Sequence, residues 1–529
     1  MVISSLGIVA TEHPLASQAG AIILARGGHA VDAAIAANAV MGAVAPMMNG
    51  VGGDLFAIVY DAKKSQLHGV NASGWAPSGL TIDFLRANGV ISMPQSGIHA
   101  VTVPGAVAGW ALLRDRFGRK SFSEILATAI RLAADGFPVA EISAAEWASS
   151  ESLLRAGAGS ASTYLPAGRA PRVGEIFRNP DLAWTYGQIV SQGSDDFYRG
   201  NIAGRVLACS ERQGGKMTAA DLAEFTAEWV VPISTTYRGW HIHELPPNGQ
   251  GIAALMMLNI LENFPLKDYG HLSVDTLHVM IEAKKLAYAD MSRRLADPKF
   301  EVVPIAGMLS KGYARERAKL VDMKRASDDV PAGTLPASGG DTTYLSVVDR
   351  EGNMVSLIQS NFANFGSGLV PDGTGFVLQN RGALFTMDPT HPNALAPRKR
   401  PLHTIIPGFM NRDDVRIAFG IMGGWNQPQA HVQFISNLVD HGMNIQAALE
   451  AARFTKITFS GCDVTMERRI PEPVRQALAG KGHQIGLQGD FSSMVGGGQS
   501  VMRDFRAGVN FGASDPRKEG AAIPEPPIH

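Results

Sequence analysis

Two adjacent threonines, Thr342 and Thr343, open a short apolar run directly after a segment rich in small residues. Residues 325–338 are mostly Ser, Asp, Pro, Gly and Ala, so they carry too little apolar surface to pack, and we predict a mobile loop. If the bond between Asp341 and Thr342 is cut, the new α-amine can act as the base for the Thr342 hydroxyl. This pattern suits an N-terminal nucleophile, although a lone threonine is more often an ordinary strand residue.

Two further segments carry groups that could assist the Thr342 hydroxyl. Ser360 lies at the far end of the strand that should pair with the threonine strand, so its hydroxyl could hydrogen-bond to that of Thr342. The adjacent Gly423 and Gly424 can present two backbone N–H groups to a developing oxyanion. Each signal is weak by itself, because strand serines and glycine pairs in turns are common.

Polar groups suited to holding a substrate occur in two other segments. His403 and Thr404 offer an imidazole and a hydroxyl, and Asn380 and Arg381 place an amide beside a guanidinium. A structural histidine and a surface arginine are the commoner outcomes for such residues. The four residues are therefore candidates that need support from elsewhere in the chain.

Other common catalytic patterns are missing from the sequence. No serine lies in the Gly-x-Ser-x-Gly pattern, and Gly214–Lys216 is followed by Met217 rather than by the Ser or Thr of a phosphate-binding loop. His243–Glu244 lacks the second histidine of a His-Glu-x-x-His site, and no Cys/His group has zinc spacing. The glycine-rich turn Asn49–Asp54 is better explained by close backbone packing. We therefore expect no metal and no cofactor.

The surrounding elements must position these residues. Apolar patterns predict helices at 14–26 and 30–45, and the second is apolar on all sides, so it should be buried between layers. A strand at 55–60 and a hairpin formed by 342–348 and 354–360 follow. Helix and strand blocks lie on both sides of the hairpin without strict alternation. This order favours an α+β or four-layer α/β fold over a doubly wound sheet.

Composition excludes several classes of protein. Of the 529 residues, 45% are hydrophobic and 18% charged, which indicates a well-buried globular core. The formal net charge of −1 gives no attraction to nucleic acid or to an anionic membrane, so neither is an expected partner. Ala33–Met48 is too short to span a bilayer, and the N-terminus lacks a signal pattern. We expect a cytoplasmic protein in which Cys209 and Cys462 are free, buried thiols.

A series of sequence motifs runs along nearly the whole chain in one characteristic order. They are GGHAVDAAIAAN, VTVPGAVAGW, AADGFPV, LPPNGQG, EAKKLAYADMSRRLADP, DTTYLSVVD with EGN, RKRPLHTIIP, GGWNQPQ and FGASDPRKEGAA. On these motifs the chain resembles the γ-glutamyltransferase family of self-cleaving N-terminal-nucleophile enzymes. The resemblance implies one composite αββα sandwich made of a large chain, residues 1–341, and a small chain, residues 342–529. Residues 325–341 would be a flexible pre-cleavage loop.

The resemblance also implies roles for individual residues. Thr342 would be both the cleavage point, at the Asp341–Thr342 bond, and the nucleophile, with Thr343 in support. Ser360 would be its hydroxyl partner, and Gly423 and Gly424 the oxyanion donors. The two cleaved chains would form a heterodimer or a higher oligomer of it, acting on a small-molecule amide.

Three departures from the family pattern change the expected substrate. Ser73 stands where family members that take γ-glutamyl groups have an arginine for the α-carboxylate. Gly382–Phe385 lacks the aspartate that holds the α-amino group, and His403–Thr404 replaces a pair of serines. Losing one partner of a buried ion pair costs on the order of 3–5 kcal/mol, so glutathione should be a poor substrate.

Two stretches are similar instead to an atypical cytoplasmic branch that includes oxamate amidohydrolase and cephalosporin-acylase-like proteins. They are FGSGLVPDGTGFVLQNRG and HPNALAPRKRPLHTIIP. We expect a self-cleaving amidohydrolase that acts on a small, anionic amide such as oxamate, with Arg381 clamping the substrate carboxylate. Two alternatives within the enzymes are a γ-glutamyl hydrolase or transferase acting on glutathione and an acylase acting on glutaryl-type amides. An alternative of another class is an uncleaved, inactive homologue that acts as a binding protein.

Overall fold

A computed structural model describes residues 1–328, residue 330 and residues 341–527, with only the backbone of Asp341. Most of the loop predicted for residues 325–341 therefore lies outside the described residues. None of the helices in the described ranges is both long enough and apolar enough to cross a membrane. Cys209 and Cys462 are buried and free, as predicted.

Strands and helices are spread along the whole described chain. The strands are β1 (Val2–Ser4), β2 (Ile8–Thr11), β3 (Asp54–Asp61), β4 (Gln66–Ala72), β5 (Phe137–Pro138), β6 (Ile176–Phe177), β7 (Glu228–Val230), β8 (Ile233–Tyr237), β9 (Trp240–Glu244), β10 (Asp341–Val348), β11 (Met354–Phe362), β12 (Gly408–Arg412), β13 (Val415–Ile421), β14 (Phe454–Thr455), β15 (Asp463–Glu467), β16 (Gln484–Gln488), β17 (Gly498–Asp504), β18 (Val509–Ser514) and β19 (Ala521–Pro524). The helices are α1 (Pro14–Ala25), α2 (Ala30–Val44), α3 (Ile82–Ala87), α4 (Ala106–Phe117), α5 (Phe122–Asp135), α6 (Glu141–Ser149), α7 (Glu151–Ala156), α8 (Ser160–Tyr164), α9 (Pro180–Gln192), α10 (Asp195–Arg199), α11 (Asn201–Arg212), α12 (Ala219–Ala223), α13 (Gly251–Leu261), α14 (Leu266–Tyr269), α15 (Val274–Arg294), α16 (Ile305–Met308), α17 (Lys311–Ala318), α18 (Gln427–Val439), α19 (Ile445–Glu450) and α20 (Glu472–Gly480). Short 3-10 turns lie at Ile98–Ala100, Arg381–Leu384, Gly424–Asn426 and Ser493–Val495.

Two large sheets form the middle of the molecule. One has the strand order β19-β2-β10-β11-β3-β4-β7, and the other has the order β1-β18-β17-β13-β12-β9-β8. The pairings within both sheets are antiparallel. The absence of parallel pairing in these two sheets agrees with the prediction against a doubly wound fold.

The alternation of side chains along β10 explains how the layers are held together. Tyr344 and Val348 point into an apolar core shared with β12, β13 and β17 of the other sheet. Leu345 and Val347 point the opposite way, into the core beneath the helices of the N-terminal third. The second sheet packs its outer face on α13, α15, α18 and α19. The four-layer αββα sandwich is therefore confirmed.

The helix α2 lies in the layer directly beneath the threonine strand. All of its residues are buried, as its almost entirely apolar composition predicts. Its N-terminus is closed by a capping box, in which the His29 backbone N–H donates to Asp32 Oδ2 at 2.8 Å and the Val31 N–H donates to His29 Nδ1 at 3.1 Å. This buried layer supports the central strands β10, β11 and β3.

Candidate active site

Thr342 lies at the start of β10, a central strand of its sheet. Its hydroxyl donates a hydrogen bond of 3.2 Å to Ser360 Oγ near the end of the paired strand β11, and both residues are fully buried. Ser360 Oγ also accepts the Phe362 N–H at 2.8 Å, which fixes its position. The register of the two strands shifts between Asp341 and Thr343, so the strand pairing is irregular opposite Thr342. The structure therefore brings together the Thr342 and Ser360 hydroxyls, as predicted from the sequence.

The strand that follows the threonine pair is anchored firmly. The Tyr344 N–H donates to Glu12 Oε1 at 2.9 Å, and the Tyr344 hydroxyl lies 2.8 Å from Ser356 Oγ. Thr343 pairs with Gln359, and its buried hydroxyl has no hydrogen-bond partner in the described part of the chain. Thr342 therefore begins a rigid segment whose direction is set by its neighbours.

Asp54, the first residue of β3, lies directly opposite Ser360 in the sheet. Its carboxylate is fully buried, with Oδ1 accepting the Gly74 N–H at 3.0 Å and Oδ2 lying 2.8 Å from His403 Nε2. Burial raises the pKa of Asp54 to about 7, and the nearby Arg381 opposes that rise. This carboxylate was not among the site residues predicted from the sequence.

The glycines that precede Asp54 let the backbone approach other segments closely. A Cβ atom at Gly52 would lie 2.1 Å from the Val377 carbonyl oxygen, and one at Gly53 would lie 2.5 Å from that of Ser360. Neither position can hold a larger residue without a backbone shift. The prediction of close backbone packing is confirmed, and this packing brings Asp54 beside the Ser360 strand.

Arg381 is fully buried, unlike the surface arginine that its residue type favours. Its Nη1 donates to Thr404 Oγ1 at 2.6 Å, and its Nε lies 3.8 Å from Asp54 Oδ2. The guanidinium carbon lies 4.6 Å from the centre of the Phe362 ring. Burial lowers the pKa of Arg381 to about 9, against the opposing effect of Asp54. At that pKa the side chain is a cation at neutral pH.

The guanidinium of Arg381 retains unused donors. Neither its Nε–H nor its Nη2 group has a hydrogen-bond acceptor among the described residues. Buried donors without acceptors are costly, so native proteins rarely keep them except where a water, ion or ligand completes the bonding. The arrangement fits a planar anion with two oxygens.

His403 connects these charged groups as a neutral imidazole. Its Nδ1 accepts the Ile405 N–H at 3.3 Å, so Nε2 carries the proton and donates it to Asp54 Oδ2. Burial, together with Arg381 and Arg400, holds the pKa of His403 well below its usual value. The ring lies 4.7 Å from that of Phe56. His403 is thus a hydrogen-bond donor with no charge at neutral pH.

The predicted oxyanion pair follows the end of β13. Gly423 and Gly424 have φ angles of 122° and 56°, in the region that favours glycine. Their N–H groups have no acceptor within the part of the chain that the structure describes. A Cβ atom at Gly420 would lie 2.4 Å from the Tyr344 ring, so the end of β13 packs closely against the strand that begins at Thr342.

Gln250, in the motif LPPNGQG, fixes the glycine pair relative to the His403 segment. Its Nε2 donates to the carbonyl oxygens of Thr404, at 2.5 Å, and Gly424, at 2.8 Å. Its backbone N–H donates to the His403 carbonyl oxygen at 2.9 Å. The sequence predicted a rigid loop here but not this bridging role.

Two candidate binding residues use their polar groups within the protein. Asn380 donates to the Gln95 carbonyl oxygen at 2.7 Å and accepts the Ala363 N–H at 3.0 Å. The Ser73 hydroxyl donates to Asn71 Oδ1 at 2.7 Å and accepts from Asn248 Nδ2 at 3.1 Å. These bonds favour a structural role for both side chains over a direct substrate contact.

One group of side chains elsewhere has the composition of a metal site. His278, Glu282 and His483 are buried with ligand atoms close together. His278 Nδ1 lies 2.8 Å from His483 Nε2, and Lys285 Nζ donates to Glu282 at 2.7 Å. Because the Lys285 ammonium already neutralises the Glu282 carboxylate, these three side chains do not fit a metal cation.

The four-layer αββα fold is that of an N-terminal-nucleophile hydrolase. The family model described as gamma-glutamyltranspeptidase matches residues 16–525. The chain is 35% identical over 527 residues to the glutathione hydrolase-like YwrD proenzyme of Bacillus subtilis, covering 99% of both chains. It is also 35% identical over 530 residues to the oxamate amidohydrolase proenzyme of Klebsiella pneumoniae, covering 98% of both.

A solved structure shows the same similarity in three dimensions. The cephalosporin acylase from Bacillus halodurans is 42% identical with a TM-score of 0.93, and the match covers 99% of this chain and 96% of that one. The chain therefore belongs to the γ-glutamyltranspeptidase family. It is an amidohydrolase of the N-terminal-nucleophile type.

Proposed function

We propose that this chain is a proenzyme that cuts itself before Thr342 and then hydrolyses a small, anionic amide such as oxamate. The observation that carries the proposal is the buried guanidinium of Arg381, which keeps two donor groups without acceptors and lies next to Asp54, the residue opposite Ser360 in the sheet. Residues 1–341 and 342–529 would remain together as a heterodimer in one composite domain. On the resemblance to the atypical branch, we place the protein in the cytoplasm.

The reaction proceeds through an ester on Thr342. The Thr342 hydroxyl attacks the amide carbonyl carbon while its own α-amine takes the proton, and the Gly423 and Gly424 N–H groups stabilise the oxyanion. The C–N bond then breaks, and ammonia or an amine leaves with the proton. Water hydrolyses the acyl ester, releases the acid and restores the threonine hydroxyl. Ser360 keeps the hydroxyl oriented throughout.

Arg381 indicates that the substrate carries a carboxylate. A carboxylate can accept from both unused donor groups of the guanidinium in a two-bond contact. The guanidinium lies 3.8 Å from Asp54, and Asp54 lies opposite Ser360 in the sheet. Ser360 in turn accepts the hydrogen bond of the Thr342 hydroxyl. Oxamate carries its carboxylate directly beside the scissile carbonyl, so it requires an anion site close to Thr342.

The γ-glutamyl alternative lacks its anchors. Ala383 and Leu384 are buried in an apolar core, so no carboxylate stands there to hold an α-amino group. Ser73 stands where the γ-glutamyl enzymes have an arginine, and its hydroxyl is already hydrogen-bonded to Asn71 and Asn248. An amino acid head group would therefore enter the site without an anionic partner.

An acylase acting on glutaryl-type amides is the second candidate. The 42% identity to the cephalosporin acylase of Bacillus halodurans favours it. A glutaryl amide also carries a carboxylate that Arg381 could bind, but three methylene groups separate this carboxylate from the scissile carbonyl. The two candidates therefore differ in the separation between the anion site and Thr342.

A panel of three substrates tests the proposal on the processed enzyme. We expect oxamate to be hydrolysed with the highest kcat/KM, a glutaryl amide to follow, and glutathione to be hydrolysed poorly. The Thr342→Ala variant is the control for background hydrolysis. A preference for the glutaryl amide would show that the acylase function is correct instead. A preference for glutathione would overturn the proposal. A single uncleaved band with no turnover would favour the binding-protein alternative.

A further inference from the structure

The charges within the buried site balance before any substrate binds. Above the pKa of Asp54, Arg381 contributes one cation and Asp54 one anion, with 3.8 Å between Nε and Oδ2, and His403, which is hydrogen-bonded to Asp54, is neutral. All three side chains are 0% exposed. A substrate carboxylate at Arg381 would add a second anion to a site that holds one cation.

We propose that anion binding at Arg381 is coupled to the uptake of one proton by Asp54. The inference rests on the proposed function, because it takes a carboxylate-bearing amide as the ligand. The proton comes from solvent and adds to the carboxylate of Asp54, which becomes a neutral carboxyl group. It returns to solvent when the acid product leaves, so the cycle consumes no proton at this residue.

The geometry supports this coupling. Two carboxylates that share one guanidinium in a buried site repel each other, and this repulsion favours protonation of one of them. Asp54 is suited to take the proton, because burial already raises its pKa to about 7. A protonated carboxyl group also retains acceptor capacity for the Gly74 N–H and for His403.

Other groups near Asp54 do not supply the missing positive charge. Arg400 acts on Asp54 from a greater separation, and its own Nη1 is paired with Glu228 at 3.0 Å. Tyr198 remains a neutral phenol, because burial raises its pKa far above neutrality. Among the described residues, the titratable, charged or N–H-donating groups that act on Asp54 are Arg381, Arg400, His403, Tyr198, Gly74 and Gly105.

The coupling gives a pH dependence that a structural aspartate would not produce. Above the pKa of Asp54, binding takes up one proton from solvent, and the proton concentration falls tenfold with each pH unit. The KM for oxamate should therefore rise by about tenfold per pH unit. A neutral amide such as propionamide brings no second anion and should show no such rise. Asp54→Asn keeps the shape but not the charge, so its KM for oxamate should be independent of pH in this range.

Calorimetry with pyruvate, which has the shape of oxamate but no leaving amine, tests the inference. Binding to the processed wild type at pH 8, in buffers of different ionisation enthalpy, should show uptake of close to one proton. Asp54→Asn should bind pyruvate more tightly than wild type and take up none. Pyruvate binding without proton uptake by wild type would overturn this inference alone. No binding of pyruvate or oxamate at all would overturn the proposed function as well.

Discussion

The Thr342 hydroxyl donates to Ser360 Oγ at 3.2 Å, across two paired central strands and with both side chains fully buried. Ser360 lies opposite Asp54 in the next strand, so the nucleophile candidate and the charged groups are linked through one sheet. This relationship makes the hydroxyl partner and the anion site separately testable, because different residues provide them.

The first prediction concerns self-cleavage. The Thr342 hydroxyl should attack the carbonyl carbon of Asp341, and water should open the resulting ester. Wild type should give two chains of about 36 and 20 kDa, scaled by length from 56.1 kDa, on a denaturing gel. Thr342→Ala should remain one chain, and Thr342→Ser should cleave slowly. Cleavage of the alanine variant at the same bond would show that another group attacks.

The second prediction concerns the hydroxyl partner. Ser360→Ala should slow self-cleavage by roughly 5- to 150-fold, the equivalent of about 1–3 kcal/mol for a lost buried hydrogen bond. Ser356→Ala is the matched control, because Ser356 lies on the same strand and contacts Tyr344 at 2.8 Å instead. The rates are measured from the disappearance of the precursor band. Equal slowing in both variants would point to a general loss of packing.

The third prediction concerns the anion clamp. Arg381→Ala should still cleave itself, because processing needs no substrate anion. It should lose roughly 2–5 kcal/mol of transition-state stabilisation in kcat/KM for oxamate, because a charge-paired contact is removed. Arg381→Lys should recover only part of this, because it keeps the charge but not the planar fork. Wild-type turnover of oxamate by the alanine variant would place the anion elsewhere.

The fourth prediction concerns the amino acid head group. Because Ser73, Ala383 and Leu384 carry no charge, γ-glutamyl anilides should be turned over far more slowly than oxamate. Initial rates of the two substrates at equal enzyme concentration provide the comparison. Efficient transfer from glutathione to a dipeptide acceptor would contradict the account.

The sequence was sufficient for the elements that carry strong periodicity. The buried α2, the hairpin that begins at Thr342 and the αββα class all follow from local patterns and from the family motifs. The helix and the hairpin depend on neighbours along the chain, so no distant contact is needed to predict them, whereas the αββα class was implied by the resemblance to the family.

Asp54 could not be recognised as a site residue in this way. Its partner His403 is 349 residues away, and the glycines before it signal only close packing. Gln250 was likewise visible as part of a rigid loop, while its bridge to Thr404 and Gly424 requires three distant segments to meet. Burial of Arg381 is also a tertiary property, and residue type alone predicts the opposite.

The most direct test is to locate the acyl group during turnover. Wild-type enzyme is mixed with oxamate, quenched in acid, digested and analysed by mass spectrometry. We expect an oxalyl group on the N-terminal peptide of the small chain, at Thr342, and much less of it in Arg381→Ala. An uncleaved chain, or an acyl group carried by another residue, would contradict it.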